Sequence, residues 1–216
     1  MRALAGLPLR DESARARLTR AGEVARPVAH AGERALPVPG ELGELIPVLR
    51  RGSVVAVEGE TGAGVTSVAL RLAAAATAAG EWAAAVELHG SLGGLAAAEA
   101  GIALERFAVA RRVPPTRWAT VAAALLDGIG LVLAEVPSCA RVGDARRLAA
   151  RARERGVVLI GVGGWPAEAA LRVRAEGSQW QGLGHGSGLL AARELGVRVE
   201  GHGVPTHAVV PVARAG

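Results

Sequence analysis

Arg51 to Leu72 reads RGSVVAVEGETGAGVTSVALRL. An apolar run, Val54 to Val57, passes into a glycine-rich turn and then into an alanine-rich helical pattern, the strand–loop–helix layout of a phosphate-binding loop. The turn itself is Gly59-Glu60-Thr61-Gly62-Ala63-Gly64-Val65-Thr66, followed by Ser67. Against G-x-x-x-x-G-K-[ST], both spacing glycines and the hydroxyl are present. The lysine is replaced by Val65, and the chain contains no lysine at all. Glycines let backbone N–H groups converge on an anion at a helix N-terminus. The lysine adds a charge that follows the terminal phosphates. A hydrogen bond to a charged group contributes roughly 1.5–3 kcal/mol, so its loss weakens binding about tenfold to a hundredfold. Phosphoryl transfer rests on positioning and electrostatics, and suffers at least as much. The stretch predicts a nucleotide-type fold with a degenerate site. With 30 glycines in the chain, a βα turn that never held phosphate is the competing reading.

Working outward, apolar runs and helical patterns alternate, as in a mainly parallel sheet with helices on both faces. Expected strands are Val54–Glu58, Trp82–Leu88, Arg106–Ala110, Leu131–Val136 and Val157–Val162. They lack polar alternation, as strands covered on both faces do. Expected helices are Gly40–Leu49, Thr66–Ala79, Leu92–Ile102, Pro115–Leu126 and a helix capped by Asp144, running to Glu154 and closed by Gly156. Ala170–Trp180 alternates like a sheet-edge strand. Leu189–Glu200 continues it as an antiparallel hairpin, and Ala208–Val212 is a last apolar stretch, pairing at an edge or trailing as a tail. Residues 1–35 are polar and arginine-rich, with a short helix from Asp11 to about Gly22, and read as an N-terminal arm. The division expected is an arm (1–35), an α/β core (36–181) and a C-terminal β-hairpin and tail (182–216).

Composition bounds the rest. The chain of 216 residues carries 25 basic side chains, all arginine, against 20 acidic, a net charge of +5. That balance permits contact with nucleic acid or an acidic partner without requiring it. Lysine avoidance beside excess Ala, Gly, Arg and Val also matches a GC-rich coding bias. Tyrosine is absent and Phe107 is the one phenylalanine, a poor endowment for a base-stacking platform. No apolar run reaches the ~20 residues that span a bilayer, no signal peptide is read, and the lone Cys139 suits a reducing cytoplasm. Cys139 is expected to be packed. The histidines at 30, 89, 185, 202 and 207 show no metal-ligand spacing.

The segment LPVPGELGELIPVLRRGSVVAVEGETGAGVTS, with Ala83–His89, Leu131–Glu135 and Val157–Gly163 following in order, resembles the core of RecA-type P-loop ATPases over residues 36–181. The degraded loop, short connections and closing Trp180-Gln-Gly-Leu-Gly with an arginine-bearing hairpin resemble the ImuA group, in particular its actinobacterial ImuA-prime branch. The resemblance implies an accessory factor of SOS-induced translesion synthesis and mutagenesis. Its implied partners are an ImuB-like protein related to Y-family polymerases, RecA and, indirectly, an error-prone DnaE-type polymerase. It implies ATP and Mg2+ as the ligands the fold once held. Carried over residue by residue, Val65 stands at the lysine position, and Thr66, with Ser67 beside it, at the magnesium hydroxyl. Glu135 stands at the Walker B acid, where the family uses aspartate. His89 lies nearest the catalytic glutamate position, with Glu87 close by, and Gly163-Gly164 stand where a phosphate-sensing glutamine belongs. Most catalytic roles are lost, which implies an adaptor working by contact and not by chemistry. The connections Pro137–Gly143 and Gly163–Glu168 are too short for recombinase-like DNA loops. Arg146, Arg147, Arg151, Arg153 and Arg155 cluster on one helix as a face for nucleic acid or a partner, or as a plain solvated face. Trp165 and Trp180 are expected to pack in the core or at an edge. Three competitors remain: an atypical ATPase relying on Thr66 and Glu135, a SulA-like cell-division inhibitor, and a direct DNA binder with steep salt dependence.

Overall fold

The computed structural model describes residues 35–181, 192–201 and 206–213. Most of the arm, including the Asp11 helix, and the connection after Gln181 lie outside them. In chain order the strands are β1 Ala35–Pro37, β2 Val48–Arg50, β3 Val54–Gly59, β4 Ala83–Val86, β5 Phe107–Ala110, β6 Leu131–Glu135, β7 Val158–Val162, β8 Leu171–Gln181, β9 Ala192–Glu200 and β10 Thr206–Ala213. The helices are α1 Leu42–Leu45, α2 Val65–Ala78, α3 Gly94–Glu99, α4 Trp118–Leu125 and α5 Val142–Arg155.

Among the described residues, eight strands form one sheet in the order β10-β9-β8-β3-β7-β6-β4-β5. The six from β8 to β5 run parallel, while β9 and β10 are antiparallel additions. The chain steps one way along the sheet from β3 to β4 to β5, then back through β6 and β7 to β8. Right-handed crossovers therefore put α2 and α3 on one face and α4 and α5 on the other. The burial follows. Val55 and Val57 of β3 share a core with Val68, Leu72 and Ala76 of α2, while Val54 and Ala56 share a second core with Trp118, Val121, Leu148 and Ala152. From Val54 to Val57, β3 is thus covered on both sides, which is why this run shows no alternation. Alanine, the best helix former, fills α2 from Ala73 to Ala76, and all four are fully buried.

Several expectations are corrected. Ala170–Trp180 was expected at a sheet edge; β8 lies inside the sheet, parallel to β3 and antiparallel to β9, with an irregularity between Ala175 and Gly177. Its alternation arises because one face packs on the first core through Val173 and Ala175 while Arg174 and Glu176 stay exposed. β10 pairs with β9 along its length, so the last apolar stretch is a paired edge strand. The helix expected over 40–49 shrinks to one turn inside a hairpin, because β1 and β2 pair and bury Leu36 and Leu49. Asp144 does not cap α5: Arg141 holds that position and Asp144 sits in the first turn, ion-paired to Arg147. The α4 helix begins at Trp118, not Pro115, and α3 covers only Gly94–Glu99. Gly156 does close α5, at φ 67. Cys139 is exposed, not packed.

The crossover from β7 to β8 has no helix, and Trp165 holds it down. This side chain is 3% exposed and meets Trp118 edge-on, with ring centroids 6.5 Å apart, while its Nε1 donates to Glu168 O at 3.2 Å. Gly161 must be glycine here, since a Cβ would stand 2.6 Å from Trp165 Cε3. Packing, as expected for Trp165, is therefore its place; the side chain of Trp180 lies outside the description. Trp165→Ala is expected to cost about 3–5 kcal/mol, read as a lower urea midpoint with unchanged slope.

Candidate functional site

Because β3, β4, β6 and β7 are parallel, their C-terminal ends share one edge of the sheet, where ligands of open α/β folds bind. The glycine-rich loop leaves that edge from β3. Gly62 and Gly64 take left-handed backbone conformations, φ 84 and 101, and Gly64 caps α2. The first helical bond is Val68 N–H to Gly64 O at 3.0 Å, so the N–H groups of Val65, Thr66 and Ser67 have no intrahelical acceptor. That much is the geometry of a phosphate loop. Thr66 is exposed, whereas Val65 is partly buried and packs against the first core.

Two strands away, about 10 Å in sheet spacing, Glu135 ends β6. Its carboxylate is committed within the protein: Oε2 accepts Leu88 N–H at 2.6 Å and Oε1 lies 2.5 Å from His89 Nδ1. The acid expected to serve a metal instead ties the end of β6 to the segment after β4. Glu87 is committed as well. It is 3% exposed, Oε2 accepts Leu92 N–H at 2.8 Å, and Arg111 Nη1 stands 3.8 Å from Oε1. Arg111 also donates to Leu92 O at 2.9 Å. Glu87 therefore folds residues 88–92 back on the sheet, and only His89 of this group is well exposed. The structure brings Glu87, His89 and Glu135 together at adjacent strand ends, but as a structural network. Gly163 and Gly164 follow β7 at φ 93 and 123, and Gly163 N–H donates to Val57 O at 2.9 Å.

The other side of the loop shows what the sequence reading missed. Arg193 of β9 reaches across: Nη2 donates to Gly62 O at 3.2 Å, and Nη1 stands 3.5 Å from Ser67 Oγ. A cleft of about 780 Å³ opens between Glu58–Ala63 and Arg174–Gly177. Glu58, Glu60 and Glu176 line it against the single guanidinium of Arg174. Glu58 pairs with Arg174 at 3.2 Å and Arg172 at 3.6 Å, and Glu176 pairs with Arg198 at 2.5 Å. With Glu58 and Glu176 neutralised in this way, the cleft presents no surplus of positive charge to draw in a polyphosphate. With Val65 turned inward and Glu135 engaged, the residues present do not fit ATP with magnesium. Among the described residues no cluster of three His, Cys, Asp or Glu side chains is placed to hold a metal ion.

The arginine face of α5 is partly neutralised. Arg151 forms a two-pronged pair with Asp127, at 2.9 and 2.5 Å, and Arg155 adds a third bond at 3.2 Å. The Asp127 hydrogen bond holds the Arg151 guanidinium above its ordinary pKa. Arg147 pairs with Asp144. Arg146 and Arg153 point outward and are exposed. Only part of the expected basic face is therefore presented to a partner. Sequence reasoning missed Asp127 because its role depends on the turn after α4 meeting α5.

Residues 44–167 match the model of the MT3502 N-terminal domain. The chain belongs to this family. In this MT3502 N-terminal domain, the matched stretch runs from α1 to the crossover before β8. It contains the loop, Glu87, His89, Glu135 and α5, and stops short of Arg193. No curated protein matches the chain. No described helix is long and apolar enough to cross a membrane.

If Glu135 is structural, Glu135→Ala orphans the Leu88 N–H and lowers stability by about 1–3 kcal/mol, measured by urea unfolding. A carboxylate held in reserve for a metal would give no loss, or a gain.

Proposed function

We propose that this chain is a RecA-fold adaptor that does not turn over nucleotide and serves SOS-induced translesion synthesis by holding partners together. One observation carries the non-catalytic part: the Glu135 carboxylate is spent on Leu88 N–H and His89. Phosphoryl transfer needs a metal-bound acid and a mobile cation at the phosphates. Here the acid is engaged and Val65 replaces the cation. The RecA-like reading of the fold is supported by the loop motif after β3, by Glu135 ending the strand at the Walker B position, and by the parallel sheet that aligns them. The repair setting and its partners, an ImuB-like protein, RecA and indirectly a DnaE-type polymerase, rest on the sequence resemblance to the ImuA group. The exposed Arg146 and Arg153 on α5 offer these partners an accessible basic surface.

A second reading keeps some ground. The loop retains positive φ at Gly62 and Gly64 and an exposed Thr66, the features an atypical RecA-like ATPase needs. Calorimetry with Mg-ATP and a turnover assay separate the two. The adaptor gives no saturable heat and no phosphate release, yet co-purifies with the ImuB-like protein when both are expressed together. Turnover that disappears in Glu135→Gln establishes the ATPase instead. Failure to retain the ImuB-like protein removes the translesion assignment.

A further inference from the structure

We propose that Arg193 is a built-in clamp: from β9 it holds the phosphate loop in its ordered shape without any nucleotide, doing from a distant strand the structural part of what the missing lysine would do. This deepens the non-catalytic reading and rests on it.

The argument starts from the loop's own problem. A glycine-rich loop at a helix N-terminus has little side-chain packing to fix it, and glycine loses the most conformational freedom on ordering. Binding phosphate normally supplies that order. Here the arginines beside the adjacent cleft are taken up by Glu58 and Glu176, and no lysine follows Gly64. β9 supplies contacts instead. The Arg193 guanidinium spans the loop from Gly62 O to the first turn of α2 at Ser67. Two residues on, along the same face of β9, Leu195 is fully buried against Gly64: a Cβ there would stand 2.5 Å from Leu195 Cδ2 and 3.3 Å from Arg193 Nη2. Gly64 is thus fixed twice, by its φ of 101 and by a strand pressed against it. β9 reaches this place because β8 lies beside β3 and carries β9 as its antiparallel neighbour. A guanidinium suits the task, since its donors spread over a plane and engage two acceptors at once.

Two things follow: the loop is rigid in the free protein, and the clamp competes with anything that reshapes the loop around an anion. Hydrogen exchange at the bonded amides of the loop in the full chain, Ala63 N–H to Glu60 O and Val68 N–H to Gly64 O, tests the first. Arg193→Ala is expected to speed exchange there roughly tenfold or more, the fold-change for losing a hydrogen bond to a charged group. Arg193→Lys should recover part of the protection through a single donor. Exchange in β6 and α5 should not change, which separates a local release from general loosening. The second consequence is tested with inorganic pyrophosphate by calorimetry. The native chain and Val65→Lys are expected not to bind it, and Val65→Lys combined with Arg193→Ala to bind. Where Arg193→Ala does not fold, Leu195→Ala removes the packing half of the clamp and takes the same measurements. Unchanged loop exchange in these variants overturns the clamp. So does pyrophosphate binding by the native chain that Arg193→Ala abolishes, since Arg193 would then be a ligand-binding cation. Turnover of ATP by the native chain refutes the adaptor reading, whereas the exchange result judges the clamp by itself.

Discussion

The parallel pairing of β3 between β7 and β8, buried on both faces, is the constraint on which the rest depends. A strand with no solvent face must be apolar throughout, and its neighbours must return to the same edge through crossovers that cover the sheet. This accounts for two separate cores, one under α2 and one under α4 and α5. It also accounts for the convergence of the glycine-rich loop, Glu87, His89, Glu135 and Gly163 on one edge. The opposite edge is braced by Arg51, which is nearly buried and pairs with Glu81 between the turn before β3 and the turn after α2. The polar groups at the two edges thus serve the same end: they tie loops to a sheet with a mainly apolar interior.

Val65 packed against the first core and the engagement of Glu135 have a common character: both side chains are taken up by the protein itself. A partly buried carboxylate at a strand end needs donors. Leu88 N–H and His89 provide them, and in doing so lock the end of β6 to the segment after β4. Glu87, on the neighbouring strand and buried, finds Leu92 N–H and the approach of Arg111. The acidic groups at this edge of the sheet are thus a set of closed contacts. The loop is the remaining polar element of that edge, and it too is met by the protein, from β9.

Much of the fold was legible because its signals are local. Val54–Val57, Leu131–Ala134 and Val158–Val162 are short apolar runs bounded by breakers, and each is a strand. The alanine pattern and Gly80 bounded α2 to within a residue, and Gly156 closed α5. What was not legible depended on pairing. β8 carries the alternation of a half-exposed strand, and nothing in the sequence states that β3 lies on its other side. Leu49 read as the end of a helix from Gly40 because its pairing with Leu36 is made across a hairpin. The arginines of α5 read as a face of like charge, since Asp127, which takes up Arg151 and Arg155, lies on another element. Of the site, the loop and its missing lysine could be read directly. The fate of Glu135 could not, because Leu88 and His89 reach it only across β4 and β6.

Arg193 is the extreme case. It lies 131 residues from Gly62, in a strand whose alternation marks it as ordinary. Its position over the loop follows from sheet order alone: β8 beside β3, then β9 beside β8. Motif reading scores a position by the residue found there, and at Val65 it finds a loss. The folded chain brings a guanidinium to the same loop from another strand. The physical requirement of a glycine-rich loop is a partner that fixes its backbone. That requirement is blind to where in the sequence the partner comes from. A missing motif residue therefore says that one particular chemistry is gone, and says nothing of whether the structural need it served has been met elsewhere.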